Sequence, residues 1–174
     1  MKLIFRLIIF GFFLNIITAQ NIIPSKDQIM NFAYTTAKKE NKNVFLMFDA
    51  SWCTWCKRMD KNMTNDLSKD FFDDNYVTVH LVVNESKKNK MLENPGAVDF
   101  YDSLRGNAAG IPFWVIFDSE GNILDNSIDS NGNNIGSPVT KEEVEAFTAI
   151  LKGTSSLKKE DLSIITEVFW DKNR

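Results

Sequence analysis

Two cysteines, Cys53 and Cys56, are the residues whose type and spacing point most directly to chemistry. They follow an apolar run and a short polar turn, at the expected start of a helix. At a helix N-terminus, unpaired backbone N–H groups and the helix dipole favour the thiolate form of a cysteine. We therefore expect Cys53 to be the attacking sulfur. Cys56 lies one turn further on the same helix face, where it can close a disulfide with Cys53 and release a bound thiol.

Metal binding is disfavoured because the chain has few suitable ligands. A structural zinc ion takes four ligands, usually cysteines and histidines, and this chain has two cysteines and the single histidine His80. Two cysteines three positions apart also cannot form a disulfide framework. We therefore expect a redox pair, no metal and no cofactor. His80 lies within a predicted strand and is interpreted as a packed or edge residue rather than a catalytic base.

The N-terminal residues 1–19 have the pattern of a secretory signal peptide. Lys2 and Arg6 form a basic start, an apolar run follows, and Ala19 offers a small residue for cleavage. An uncleaved membrane anchor is the alternative, but the run is shorter than the roughly 20 apolar residues that a spanning helix needs. We expect cleavage after Ala19, no stable membrane insertion afterwards, and one domain over residues 25–174.

The charge of the chain bears on its partners. Loss of residues 1–19 removes two basic residues and no acid, which changes the net charge from −3 to −5. An acidic surface argues against nucleic acid, whose binding calls for a basic patch. The lysines within residues 87–90 are interpreted as part of a solvated loop.

Apolar periodicity and turn residues divide the rest of the chain into helices and strands. Strands are predicted at residues 44–49, 76–83, 113–118 and 122–127. Helices are predicted at about residues 25–40, 52–62, 66–74, 94–106, 140–153 and 158–170. The first two strands are joined through a helix, which implies parallel pairing, and the last two by a short turn, which implies an antiparallel hairpin.

Several local features refine these elements. Capping boxes are predicted at Ser25 with Gln28 and at Thr140 with Glu143. The first helix is expected to pack on the sheet through the apolar positions Ile29, Phe32, Ala33 and Ala37. Gly153 is expected to end the helix that begins after Thr140. Residues 84–93 and 129–138 are polar and are predicted to be loops, the second with little structure of its own.

Three motifs in this order resemble those of the thioredoxin-like superfamily. Residues 52–57, Trp-Cys-Thr-Trp-Cys-Lys, resemble its active-site signature, residues 110–112, Gly-Ile-Pro, its second signature, and residues 118–121, Asp-Ser-Glu-Gly, its hairpin turn. The resemblance implies an α/β protein with the thioredoxin fold. Its three layers, α/β/α, would enclose a central mixed four-stranded sheet. The βαβαββα core would carry an extra N-terminal helix and an extra C-terminal helix.

The resemblance also implies roles for particular residues. Cys53 and Cys56 would be catalytic, and Pro112 would follow a cis peptide bond and lie against the cysteine pair. The expected substrate-binding residues are Trp52, Trp55, Ile111 and Pro112, and the expected supporting residues are Asp49 and Lys57. The backbone of Ile111 would be free to pair with an extended substrate chain.

The sequence departs from the family at one position. Thioredoxins usually have a buried acid six residues before the first cysteine, where it accepts the proton of the second thiol, and this chain has Met47 there. Two interpretations of Asp49 stay open. It either replaces that acid through a water molecule or caps the following helix.

The resemblance leads to two hypotheses of function. The first is a thiol:disulfide oxidoreductase of the bacterial periplasm or cell envelope. It would act on disulfides of exported proteins, as a reductase or isomerase rather than a strong oxidant, and be re-reduced by a membrane or envelope thiol electron donor. The second is a non-enzymatic binding module with a structural disulfide between Cys53 and Cys56.

Overall fold

The computed structural model describes residues 23–172, and the predicted signal peptide lies outside them. Four strands form one sheet in the order β2-β1-β3-β4. The strands are β1 (Asn43–Asp49), β2 (Tyr76–Val82), β3 (Phe113–Phe117) and β4 (Ile123–Asn126). The helices are α1 (Lys26–Glu40), α2 (Thr54–Met63), α3 (Lys69–Asn75), α4 (Ala97–Ser103), α5 (Gly106–Ala109), α6 (Lys141–Thr154) and α7 (Lys159–Phe169). A 3-10 helix spans Lys87–Leu92.

Strand β1 lies in the middle of the sheet and is covered on both faces. Its five central residues are buried, as its nearly continuous apolar sequence predicts. It pairs in parallel with β2, where Phe45 lies opposite Thr78, and antiparallel with β3, where Phe45 lies opposite Ile116. Strands β3 and β4 form the antiparallel hairpin. The predicted crossover and hairpin are both confirmed.

Alternate residues of β1 point into two separate cores, one on each face of the sheet. Leu46 and Phe48 pack with residues of α1 and α4. Phe45 and Met47 pack on the opposite face with residues of α2, α3, α6 and α7. The sheet is therefore flanked by helices on both sides, and the three-layer thioredoxin fold with extra N- and C-terminal helices is confirmed.

The capping boxes of α1 and α6 are present as predicted, at Ser25 and Thr140. The prediction for Phe32 was wrong, since its side chain is 64% exposed. Helix α1 packs instead through Met30, Ala33 and Ala37, which are buried. These three residues form one stripe along the helix, and Phe32 lies outside it, more than about 100° around the helix axis.

Three further boundaries differ from the sequence predictions. The helix predicted at residues 94–106 is replaced by two short helices, α4 (Ala97–Ser103) and α5 (Gly106–Ala109), because Arg105 between them adopts a left-handed backbone conformation. Gly153 lies inside α6, which continues to Thr154. The polar segment 84–93 contains a 3-10 helix rather than only a loop. Among residues 23–172, no helix combines the length and apolar character that crossing a membrane requires.

Phe147 tests the core on the α6 face. Its ring is completely buried and lies 5.1 Å from that of Phe169 and 5.5 Å from that of Trp114, measured between centroids. Phe147→Ala should lower the free energy of unfolding by about 3 to 5 kcal/mol, because it removes apolar contacts and leaves a cavity. Phe32→Ala is the matched control and should change it by less than about 0.5 kcal/mol. Chemical denaturation measures both, and equal effects would contradict the described burial.

Candidate active site

The two cysteines lie where β1 ends and α2 begins, and they are joined by a disulfide. Cys53 is the N-cap residue of α2, and its Sγ accepts a hydrogen bond of 3.1 Å from the backbone N–H of Cys56. The backbone N–H of Cys53 donates to the carbonyl of Ala50 at 2.9 Å, which closes the turn between strand and helix. The predicted position of Cys53 at the N-terminus of a helix is thus confirmed.

The disulfide lies just beneath an apolar surface. Cys53 and Cys56 are each 3% exposed, whereas the neighbouring Trp52 and Trp55 are 55% and 40% exposed. Ile111 packs against the cluster formed by Ala50 and the two cysteines. The predicted substrate-binding residues Trp52, Trp55 and Ile111 therefore surround the cysteine pair.

The segment 110–112 brings a second part of the chain to the cysteines. The Ile111–Pro112 peptide bond is cis, and Gly110 before it has a φ of 79°, a conformation that favours glycine. Pro112 and Trp55 line the same groove, which has a volume of about 310 Å³. Within residues 23–172, neither the N–H nor the C=O of Ile111 makes a hydrogen bond. Both groups are thus available to an extended chain.

The segment 134–137 holds this proline loop in place. The Asn134 side chain donates to the carbonyl of Ala109 at 3.1 Å and to that of Pro112 at 3.0 Å. The buried indole N–H of Trp114 donates to the carbonyl of Gly136 at 2.8 Å. Ile135, which lies between Asn134 and Gly136 in the sequence, is buried. Residues 129–138 form no helix or strand, as predicted, but residues 135–138 are buried rather than on the surface. The hydrogen bonds of Asn134 and Trp114 hold them against the proline loop.

Glu85 supports the turn before Cys53 from the other side, and sequence reasoning missed it. Its buried carboxylate accepts hydrogen bonds from the backbone N–H and, at 3.0 Å, from the hydroxyl of Ser51. Burial alone would raise the pKa of Glu85, but the hydrogen bonds from Ser51 and Ser86 and the charge of Lys57 outweigh it and lower the pKa. Next to it, the indole N–H of Trp52 donates to the carbonyl of Asn84 at 2.9 Å.

Asp49, one of the predicted supporting residues, contacts His80 rather than the helix. Its Oδ2 lies 2.7 Å from His80 Nδ1, and Cys53 is the N-cap of α2, so the capping interpretation of Asp49 was wrong. Met47 is completely buried in the core on the same face of the sheet. His80 lies on the edge strand β2, as interpreted from the sequence, and its Nε2 is 3.7 Å from Asp60 Oδ1.

Lys57, the other predicted supporting residue, is exposed and borders a cavity of about 510 Å³. Cys56, Asp49 and His80 line the same cavity. No group of three or more potential metal ligands occurs among the described residues.

A comparison with protein families shows to which family this chain belongs. A family model described as thioredoxin-like matches residues 28–119, which is more than half of the chain. The chain belongs to the thioredoxin-like family. In this thioredoxin-like protein, the fold and a Cys-X-X-Cys pair in disulfide geometry support a thiol-disulfide oxidoreductase in general. No curated protein matches its sequence.

Solved structures resemble this chain at low sequence identity. One is a disulphide isomerase from Xylella fastidiosa Temecula1, with 22% identity, a TM-score of 0.46 and coverage of 55% of this chain and 68% of that chain. Another is a thiol:disulfide interchange protein from Chlorobium tepidum TLS, with 18% identity, a TM-score of 0.41 and coverage of 68% and 83%. A thioredoxin-like protein from Porphyromonas gingivalis has 17% identity, a TM-score of 0.44 and coverage of 65% and 76%.

Gly136 tests the contact between the segment 134–137 and the proline loop. A Cβ atom there would lie 2.8 Å from the Pro112 carbonyl oxygen, and the φ of Gly136 is 38°. Gly136→Ala should cost about 1 to 3 kcal/mol of stability from the clash in addition to the backbone strain. Gly132→Ala is the control, since Gly132 also has a positive φ but nothing within 4 Å of the added atom. Thermal or chemical unfolding compares them, and an equal loss in both variants would refute a close contact at Pro112.

Glu85 gives a prediction of pH dependence. Because its pKa is lowered in the folded state, its contribution is present above its usual pKa of 4.5 and is lost as the pH falls through the folded value. Glu85→Gln should therefore be less stable than the wild type by about 1 kcal/mol at pH 7. The difference in the free energy of unfolding between the wild type and Glu85→Gln should become smaller below pH 4.5. Urea denaturation at several pH values measures it.

The surface variant Glu120→Gln is the control for Glu85→Gln. Glu120 pairs with Lys38 at 2.9 Å, and both side chains are more than half exposed. The exchange should change the free energy of unfolding at pH 7 by less than about 0.5 kcal/mol. A Glu85→Gln variant that is less stable than the wild type by the same amount at all pH values would contradict the pKa assignment.

Proposed function

We propose that this thioredoxin-like protein is a thiol:disulfide oxidoreductase that acts on exported proteins through Cys53 and Cys56. It works as a reductase or isomerase rather than as a strong oxidant. The observation that carries the proposal is the disulfide at the N-terminus of α2, packed against Ile111 of the cis-proline loop. The N-terminal sequence pattern supports export to the bacterial periplasm or cell envelope.

The reaction begins with the reduced protein. The Cys53 thiolate attacks one sulfur of a substrate disulfide, and the other substrate sulfur leaves with the electron pair of the broken bond. Cys56 then attacks Cys53 and releases the second substrate sulfur. The substrate gains two electrons and the cysteine pair loses two, which a membrane or envelope thiol donor supplies again. The observed disulfide is the oxidised state of this cycle.

The surroundings of the cysteines support recognition of an extended polypeptide. The free N–H and C=O of Ile111 can pair with the backbone of a substrate next to its disulfide. Pro112 has no N–H, so it leaves no unpaired donor in the groove that it lines with Trp55. Trp52 and Trp55 are exposed on either side and offer apolar contact to the substrate side chains.

The direction of electron flow is inferred from the residues between the cysteines. Family members extend from about −270 mV for strong reductants to about −120 mV for strong oxidants, whose reduced form is especially stable. Thr54 and Trp55 carry no positive charge that would stabilise a very acidic Cys53 thiolate. This favours the reducing half of the range.

The second hypothesis is a binding module in which the disulfide is structural. It is supported by the burial of both cysteines at 3% exposure and by Met47 in place of the family's buried acid. In this case the groove beside Pro112 holds a partner chain and no electrons are exchanged.

Insulin reduction with dithiothreitol as the electron source tests the enzymatic proposal. The wild type should accelerate the reaction, and Cys53→Ser should lose the acceleration because the attacking sulfur is absent. Cys56→Ser should accumulate a mixed disulfide with insulin, visible on a non-reducing gel, because nothing resolves it.

A redox titration of the Cys53–Cys56 pair separates the two hypotheses. The enzymatic proposal expects a potential near that of the reducing members, at about −270 mV. A potential below about −300 mV, together with equal activity of the wild type and both serine variants, would favour a structural disulfide and overturn the proposal.

A further inference from the structure

A cavity of about 510 Å³ beside Cys56 contains a group of acids and a base from three different elements. Asp49 comes from the end of β1, His80 from the edge strand β2 and Asp60 from α2. Cys56 lines the cavity together with them. A cavity of this size, lined by charged and polar side chains among apolar ones, has room for several water molecules. It therefore offers a path for a proton between the Cys56 thiol and the imidazole.

The geometry fixes how the imidazole is held. His80 Nδ1 lies 2.7 Å from Asp49 Oδ2, which orients the ring, and Nε2 lies on the side of Asp60 at 3.7 Å. The His80 side chain is 35% exposed and that of Asp49 is 20% exposed. An imidazole held by a carboxylate at one nitrogen has its other nitrogen free to accept a proton.

The charges around the imidazole make its neutral form a stronger base. Burial lowers the pKa of His80, but the hydrogen bond and charge of Asp49 and the charge of Asp60 outweigh it, and the net effect is a raised pKa. Lys57 of α2 and Glu85 after β2 also face the cavity. On the α1 side, the described residues that share a groove with His80 are uncharged, among them Gln28 and Ile29.

Lys57 and Glu85, which also line the cavity, are poorer proton acceptors than His80. The Lys57 head group is a hydrogen-bond donor and has no lone pair that could accept a proton. The Glu85 carboxylate is occupied by Ser51 and its pKa is lowered, so it is a weak base. Met47, on the same face of β1, has no ionisable group. A neutral His80 is the one base of the described cavity whose ordinary pKa lies near neutrality.

We propose that His80, oriented by Asp49, accepts the proton of the Cys56 thiol when Cys56 resolves the mixed disulfide. This inference rests on the proposed function of the cysteine pair. Asp49 acts as a positioning residue, and the proton travels through water in the cavity. His80 on strand β2 thereby accepts the proton that, in thioredoxins, the buried acid at the position of Met47 accepts.

The step is balanced in atoms and electrons. In the mixed disulfide, Cys53 Sγ is bonded to a substrate sulfur and Cys56 is a thiol. His80 takes the Cys56 proton, and the thiolate forms a bond to Cys53 Sγ. The bond between Cys53 and the substrate breaks, its electron pair leaves with the substrate sulfur, and that sulfur takes up a proton from solvent. His80 returns its proton to solvent afterwards.

A stopped-flow reaction of the reduced protein with dithiobis(nitrobenzoate) tests the proposal. Attack by Cys53 releases a first coloured thiolate at a rate that depends on reagent concentration. Resolution by Cys56 releases a second coloured thiolate at a rate that does not depend on reagent concentration. His80→Asn is the informative variant, since its amide can still donate to Asp49 but has no proton-accepting nitrogen.

The second phase should slow by about 10-fold or more at pH 7 in His80→Asn, because general base catalysis is lost. In the wild type its rate should level off above the His80 pKa, whereas in the variant it should keep rising with pH. The first phase should be unchanged, as should iodoacetamide labelling of Cys53 in a Cys56→Ser background. Thr78→Ala, an exposed change on the same strand, is the matched control and should leave both phases unchanged.

Asp60→Asn provides a second, independent variant that retains the imidazole. Removal of this negative charge should move the pH at which the second phase levels off to a lower value, because the His80 pKa falls. An unmoved profile would overturn the proposal, even if His80→Asn failed to fold.

The outcomes separate this proposal from the proposed function. A wild type with no first phase would overturn the oxidoreductase function itself. A normal first phase and a second phase within about twofold of the wild type in His80→Asn would overturn only the role of His80. Equal slowing of both phases at every pH would show a structural effect and would overturn that role as well.

Discussion

The burial of β1 between two other strands and two helical layers is the constraint on which the site depends. A strand with backbone hydrogen bonds on both edges and packed side chains on both faces has no freedom to shift its register. Its C-terminal end therefore delivers Cys53 to a fixed point. The same strand pairs with β3, so the segment that precedes β3, including Ile111, must arrive beside it. The contact between the cysteines and the proline loop therefore follows from the pairing of β1 with β3.

Two supports hold the active-site surface, and both come from segments that are polar in sequence. On one side Glu85 binds the turn at Ser51, and on the other Asn134 binds the proline loop through two carbonyl groups. Buried backbone groups in loops need partners, and side-chain carboxylate and amide groups supply them here. The surface around Cys53 is thus built from loops whose backbone groups are hydrogen-bonded to side chains of other segments.

Much of the fold was predictable from local patterns, and the reasons are specific. The apolar run of β1, the capping boxes at Ser25 and Thr140, and the order of strand, helix and strand each depend on residues close in sequence. The errors concern contacts between distant residues. Phe32 has the helical spacing of a core residue, yet α1 faces the sheet with Met30 and its alanines. Only the rotation of the helix about its axis, which tertiary packing sets, decides which side chain is covered. The packed segment 134–137 was missed because its hydrogen bonds go to Ala109, Pro112 and Trp114.

The sequence by itself determined the redox pair, its place at a helix start and the motifs that relate the chain to the thioredoxin-like family. These properties follow from residue types at short spacing, where helix periodicity and turn chemistry act directly. Only the tertiary structure decided what surrounds the pair. Asp49 and His80 are 31 residues apart, and Ser51 and Glu85 are 34 residues apart. Their contacts arise because β1 and β2 lie side by side in parallel, a relation that brings together residues whose spacing along the chain carries no signal.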